Sequence, residues 1–231
     1  MRFACVSDVH APRHLDDFEH ALDSVSLGKV DGFLFAGDMV HNNEYGQVAN
    51  LLKLLRRRFS GPVYACFGNN EFEGFESFYL GHQDLNWLWD QSTLFSADGE
   101  DVYIIGSKGV RDVVTPWLVW NTTPNPDPEA TRRVYEERIV LLDKLLSASK
   151  GRKTVVLTHF SPCYETIEGE DTWSPGELAS RRMQRLIEIH QPDVWVHGHS
   201  HKSVRHNALI GATRVYNVAL PATHKLTIIE V

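Results

Sequence analysis

Apolar residues fall into short unbroken runs along this chain, separated by longer stretches of mixed polarity. The runs at 1–7 (MRFACVS), 32–36 (GFLFA), 62–67 (PVYACF), 154–158 (TVVLT) and 193–196 (DVWV) are rich in aromatic and β-branched residues. Each predicts a buried strand. Helical spacing appears between them, with Leu15, Phe18, Ala21, Leu22 and Val25 on one face of a helix predicted over 15–27. A second amphipathic helix is predicted over 45–59, ending in Arg56, Arg57 and Arg58, which complement the negative helix terminus. A third is predicted over 127–149, where Asp127 caps and Pro128 fits the first turn. Ser174-Pro175-Gly176-Glu177 reads as a capping box opening a helix over 174–190. The segments 93–97 and 102–107 predict a hairpin turning at Asp98-Gly99. Strands are also expected at 204–209, 213–218 and 225–231. The aromatic stretch 73–90 is expected to be helical in part, with Trp87 and Trp89 packing. Segments 108–126 and 161–173 lack periodicity and are expected to be loops that shape a pocket.

Composition narrows the class. With 231 residues, 42% hydrophobic and 23% charged, the chain suits one large α/β domain over residues 1–231, and it shows no internal repeat or linker. A formal charge of -7 provides no basic field, which argues against a long nucleic-acid groove. Cys5, Cys66 and Cys163 form no CxxC pair and read as buried thiols of a reducing compartment. No run approaches the roughly 18 apolar residues of a membrane span, and the first residues start a strand rather than a signal segment. A cytoplasmic protein is the expectation. The sequence sets no oligomeric state.

Candidate chemistry gathers where the strands end. After the strand at 193–196 come His197, His199 and His201, which share one face if the extended geometry persists. Neutral imidazole is the commonest protein metal ligand. The strand at 1–7 runs into Asp8 and His10, two apart, so on an extended segment their side chains point the same way. The next strands end in Gly37-Asp38, in Gly68-Asn69 and at His159. Taken singly, Asp38 reads as a turn or cap residue and Asn69-Asn70 as a turn; the recurrence at five strand ends is what carries weight, because open α/β sheets bind ligands there. Mixed oxygen and imidazole donors with no cysteine suit Mn, Fe or Zn, with Ni or Co also compatible. Seven or more such donors exceed what one ion takes while keeping an open position, so two divalent ions are implied. Ion pairs of that kind clamp the attacking and leaving oxygens of a phosphoryl displacement, which makes a small phosphoester the expected substrate.

The ordered set Asp8-x-His10, Gly37-Asp38, Gly68-Asn69-Asn70-Glu71, His159 and Gly198-His199-Ser200-His201 resembles the calcineurin-like metallophosphoesterases, over residues 8–201. The resemblance implies a four-layer αββα sandwich with two mixed β-sheets. It assigns Asp8, His10 and His201 to one metal and Asn69, His159 and His199 to the other, with Asp38 bridging and a hydroxide held between the metals as nucleophile. His197 precedes the family motif, and a supporting role is expected for it. Many members carry histidine where this chain has Asn70, which can donate a hydrogen bond to phosphate but cannot act as a general acid. His41, three residues after Asp38, resembles the extra histidine of family nucleases and is the expected substitute. Phosphodiesters are therefore expected in preference to alkyl monoesters. A nuclease, a phosphomonoesterase and a non-enzymatic scaffold with a vestigial site are the alternatives. Arg111, Trp117 and Tyr164, on the two loops, are the expected substrate contacts.

Overall fold

The computed structural model describes residues 1–115, 127–171, 173 and 175–231; Trp117 and Ser174 lie outside the described residues. Three apolar runs form the parallel strands β1 (Arg2–Val6), β2 (Gly32–Ala36) and β3 (Val63–Cys66), followed by the short β4 (Asn86–Trp87). The second sheet holds β5 (Gln91–Ala97), β6 (Glu100–Ser107), β7 (Thr154–Thr158), β8 (Val194–His197), β9 (Asn207–Ile210) and β10 (Thr213–Asn217). Its order is β5-β6-β7-β8-β10-β9, parallel in the middle and antiparallel at both edges. Strand β11 (Thr227–Glu230) returns to pair antiparallel with β1, so the first sheet reads β11-β1-β2-β3-β4 and both sheets are mixed.

Strict side-chain alternation explains why these strands are apolar throughout. Phe3 and Cys5 of β1, Leu34 and Ala36 of β2, Val155 and Leu157 of β7, and Val194 and Val196 of β8 meet in one buried layer between the sheets. Their neighbours Ala4, Val6, Phe33 and Phe35 face outward onto helices α1 (Leu15–Asp23), α2 (Gln47–Arg56) and α3 (Glu76–Leu80). On the other side, Ile105, Val156 and Trp195 face outward onto α4 (Pro128–Ala148) and α5 (Arg181–His190). A strand buried on both faces has no polar positions to spare. The result is the expected four-layer sandwich of helices, two sheets and helices.

Three helices differ from expectation, the one expected over 45–59 running only from Gln47 to Arg56. Helix α1 stops at Asp23, where the Ser24 hydroxyl turns back to the His20 carbonyl at 2.7 Å. The helix expected over 174–190 is replaced by a single 3-10 turn, Pro175–Glu177, and the α-helix starts only at Arg181. Ser180 caps it, its hydroxyl accepting from the Arg182 and Met183 amides. The last part of the chain adds the unforeseen turn α6 (Leu220–Thr223). Arg57 and Arg58 pair with Glu19 and Asp23 of α1, while Arg56 donates to the Gly61 carbonyl at 2.6 Å and the Asp84 carbonyl at 2.8 Å. All three cysteines are buried and unpaired.

Candidate metal centre

The carboxyl ends of β1, β2 and β3 in one sheet and of β7 and β8 in the other point at the same place. Asp8, Asp38 and Asn69 arrive from the first sheet, and His159, His199 and His201 from the second. The backbone that aims them is not the extended one expected from the alternation. Asp8, His10, Asp38 and His199 have φ of 58°, 45°, 50° and 70°, left-handed values that a side chain adopts only when surroundings compensate. Compensation comes from hydrogen bonds between the turns: the Asp8 amide donates to the Gly37 carbonyl at 3.1 Å and the His10 amide to the Asp38 carbonyl at 3.0 Å. The His199 amide donates to Asp8 Oδ2 at 2.8 Å. Such crowding explains two motif glycines. A Cβ at position 68 would overlap Asp38 Oδ1, and one at position 198 would overlap Ser7 Oγ and Asp8 Oδ2.

Two overlapping groups of donor atoms result, Asp8 with His10 and His201, and Asp8 with Asp38 and His159, each with its atoms within 4.8 Å of one another. His201 Nε2 lies 2.8 Å from Asp8 Oδ1, and His10 Nε2 lies 3.6 Å from Asp8 Oδ1 and 3.7 Å from Asp38 Oδ2. His159 Nε2 is 3.5 Å from Asp38 Oδ2 and 3.0 Å from Asn69 Oδ1. His159 Nδ1 donates to the Ala36 carbonyl at 3.0 Å, which fixes the tautomer and leaves the Nε2 lone pair toward the group. The His199 ring packs 4.9 Å from that of His159. His199 Nε2 and His10 Nδ1 are buried without a hydrogen-bond partner among the described residues. Two fully buried carboxylates beside imidazole nitrogens that lack a partner on His10 and His199 are a costly arrangement unless a cation joins them. These residues therefore fit divalent ions.

Electrostatics set each group's charge. Burial acts to raise the Asp8 carboxyl, but the charge and hydrogen bond of His201 outweigh it and hold Asp8 far below the usual carboxylate range. Burial pushes His10 down and His199 well down, so both rings are held neutral, the form that ligates. His201 goes the other way. Burial lowers it, yet the charge and hydrogen bond of Asp8 outweigh that and lift it to about 9.

His197 stays out of this group. It is fully buried, its Nδ1 donating to the Gly198 carbonyl at 2.9 Å while Nε2 accepts from Thr166 Oγ1 at 2.7 Å. Burial, the leading cause, lowers it to about 4 and keeps it neutral, so it braces the turn that carries His199 and His201. Asn70 donates from Nδ2 to Asp38 Oδ2 at 2.6 Å and accepts at Oδ1 from the Asn42 amide at 2.9 Å. His41 packs 6.0 Å from the His10 ring and accepts at Nε2 from Arg13 at 3.1 Å. Arg111 is buried, with its guanidinium 4.7 Å over the Phe160 ring and Nε donating to the Tyr135 hydroxyl at 3.1 Å. Phe160 in turn packs against His199 at 4.9 Å, so Arg111 stands behind the histidines. The Tyr164 hydroxyl is committed to Asp112 at 2.8 Å, and Arg181 covers its ring.

Sequence reasoning gave Glu71 no role. Its buried carboxylate accepts from the amides of Gly68 at 2.6 Å, Asp38 at 2.9 Å and Val40 at 3.2 Å, which ties the ends of β2 and β3 together. Burial and the Asp38 charge push it up to about 8 against those three donors. An acidic residue at the end of a glycine-rich strand terminus was the available signal.

The family model for calcineurin-like phosphoesterases matches residues 1–203, and the chain belongs to that family. The family is one of dinuclear-metal phosphoester hydrolases, and the donor groups above are those the chain offers for the ions. Among solved structures, a dimetal phosphatase from Danio rerio is similar at 11% identity and a TM-score of 0.65, over 99% of this chain and 91% of that one. The TT1561 protein of Thermus thermophilus is similar at 15% identity and a TM-score of 0.61, over 99% and 98%. GAP50, the anchor in the inner membrane complex of Plasmodium, is similar at 15% identity and a TM-score of 0.59, over 96% and 72%. Identities this low show the shared fold. No curated protein matches the sequence. No helix among the described residues is long and apolar enough to cross a membrane.

Proposed function

We propose that residues 1–231 form a single phosphodiesterase domain that acts on small phosphoesters with two divalent ions, Mn, Fe or Zn being the best fits to the donors. Asp8, His10 and His201 would hold the first ion, Asn69, His159 and His199 the second, and Asp38 both. When bound, the ions supply a water deprotonated near neutral pH and positive charge opposite the phosphoryl oxygens. The observation that carries this reading is the position of Asp38, whose Oδ2 lies 3.7 Å from His10 Nε2 and 3.5 Å from His159 Nε2, between the two sets.

The preference for diesters rests on Asn70 and His41. The Asn70 amide steers the Asp38 carboxylate and carries no titratable proton for a leaving alkoxide. His41, beside His10, is the group proposed to carry one, and Arg13 holds its ring by donating to Nε2. With no titratable proton at Asn70, esters whose leaving group departs without protonation are favoured over those with a poor alkyl one. Metal analysis of the purified protein should find close to two ions per chain, and Asp38→Asn should lose metal and reduce turnover of bis-p-nitrophenyl phosphate by at least about a hundredfold. An alkyl monoester should be turned over far more slowly by the same preparation. Equal turnover of the two esters overturns the diester preference; absence of both metal and mutation-sensitive hydrolysis leaves a binding scaffold instead.

A further inference from the structure

Beside the metal centre lies a cavity of about 160 Å³ that the reaction as described does not use. Phe67, Trp89 and Val134 form its walls, Lys108 its floor, and Glu73 and Glu76 its rim. It adjoins the centre through shared backbone. The Lys108 carbonyl accepts from the His159 and Phe160 amides, and Glu71, which also lines the cavity, ties the Asp38 and Gly68 amides.

The Lys108 side chain is only 8% exposed, an unusual state for an ammonium, and it is poorly matched. Among the described residues its Nζ reaches the Glu71 carbonyl at 3.4 Å, while Glu73 stands at 3.7 Å, beyond hydrogen-bond distance. Donors on a buried ammonium call for an acceptor from the cavity. The other buried cation on the wall does not compete, because the Arg138 Nε meets both Asp90 oxygens at 3.0 Å and its Nη1 meets the Gly109 carbonyl.

Charge decides what kind of acceptor. With Arg138 neutralised by Asp90, Glu73 and Glu76 outnumber Lys108, so a phosphate or carboxylate is repelled there. A neutral group with a carbonyl for Lys108 and an adjacent N–H for Glu73 is matched on both sides. The walls favour a flat one. The Phe67 ring lies parallel to Trp87 at 4.4 Å and perpendicular to Trp89 at 6.0 Å, leaving the half-exposed Trp89 indole available for stacking. The volume suits one six-membered ring.

We propose that this cavity binds the base of a nucleotide-type substrate, a single neutral heterocycle with adjacent carbonyl and N–H groups such as thymine. The reading of the chain as a phosphodiesterase supplies the phosphate end of that substrate. Base recognition here is separable from it, since a nucleoside without phosphate meets only the cavity.

The protein as purified, titrated with thymidine, should show saturable heat of binding and quenching of Trp89 fluorescence, the latter absent in Trp89→Phe. Val134→Phe, which fills the cavity from helix α4, and Lys108→Met should each weaken thymidine binding about tenfold. With manganese added, Val134→Phe should lower the ratio of kcat/KM for thymidine 5′-p-nitrophenyl phosphate over methyl p-nitrophenyl phosphate by about the same factor. No saturable binding to the unmodified protein, or undiminished binding to Val134→Phe, overturns the proposal. If Lys108→Met does not fold, Val134→Phe decides alone. Hydrolysis of both esters with an unmoved ratio removes the base subsite and leaves the phosphodiesterase. Thymidine binding lost in Val134→Phe, in a protein that hydrolyses neither ester, removes the phosphodiesterase and leaves the subsite.

Discussion

His201 Nε2 stands 2.8 Å from Asp8 Oδ1, and that contact holds its proton above neutrality. Burial alone would depress it, but the buried Asp8 charge prevails and sets it at about 9, against 6.5 for an ordinary histidine. A group raised in the folded state stabilises fully below its unfolded pKa, and the contribution disappears as pH climbs through the folded value. Metal-stripped protein should therefore lose thermal stability between about pH 6.5 and 9. His201→Gln should flatten that decline. The ring is 39% exposed, so solvent screens the pair and the effect is modest in size. Melting temperatures of the chelator-treated protein across that range check it; a rise with pH, or an unchanged slope in the variant, contradicts the assignment. Asp8 has the opposite sign, its lowered pKa costing stability only as pH falls through the acid range.

Between strand and next element lie the short turns, and there sequence and structure part company. Strands β2 and β7 run over the residues expected, because an apolar, β-branched or aromatic run buried on both faces has few other solutions. The candidate donors at the strand ends were legible for a related reason: Asp, Asn and His there stand out against apolar runs. Their left-handed backbones were not, since Asp8, His10 and His199 owe those conformations to hydrogen bonds with turns distant in the chain. The start of helix α5 shows the same effect. Asp112 accepts from the Ser180 hydroxyl at 2.7 Å, the Arg181 amide at 2.8 Å and the Tyr164 hydroxyl at 2.8 Å. One carboxylate thus fixes where the helix begins and how the 161–171 segment lies against it, and nothing near position 180 reveals a partner 68 residues away. Asp112→Ala, which strands three donors at once, should cost about 2 kcal/mol in urea unfolding, whereas Ser180→Ala should cost about 1 kcal/mol. Equal, negligible losses would show that the 3-10 turn before Ser180 positions the helix without Asp112.

Across the whole molecule, the middle of the layer between the two sheets is apolar and polar contacts lie at its ends, Arg214 Nη2 of β10 donating to the Glu230 carbonyl of β11 at 2.7 Å at one of them. Phe3, Leu34, Cys66, Ile104, Leu157 and Val196 fill the layer between them, a non-directional contact that holds the sheets together without fixing how one slides on the other. At the carboxyl strand ends the contact becomes directional: Ser7 and Asp8 of the first sheet meet Gly198, His199 and His201 of the second, and His159 donates to the Ala36 carbonyl. The sheet order that brings β1 and β2 opposite β7 and β8 is set by these long-range pairings, which is why topology could not be read from local pattern while the layer composition could. Donors from both sheets also mean that divalent ions would bind only when the sheets are docked in register, so binding free energy is also inter-sheet stability. Manganese at a hundredfold excess over its dissociation constant should stabilise the fold by about 2.7 kcal/mol per independent site. In scanning calorimetry this should appear as one transition moving to higher temperature, with the shift lost in Asp38→Asn because both ions would lose the carboxylate placed between them. Two separate transitions, only one of them metal-sensitive, would mean that the ions sit within a single sheet and that Asp38 does not join the two sets.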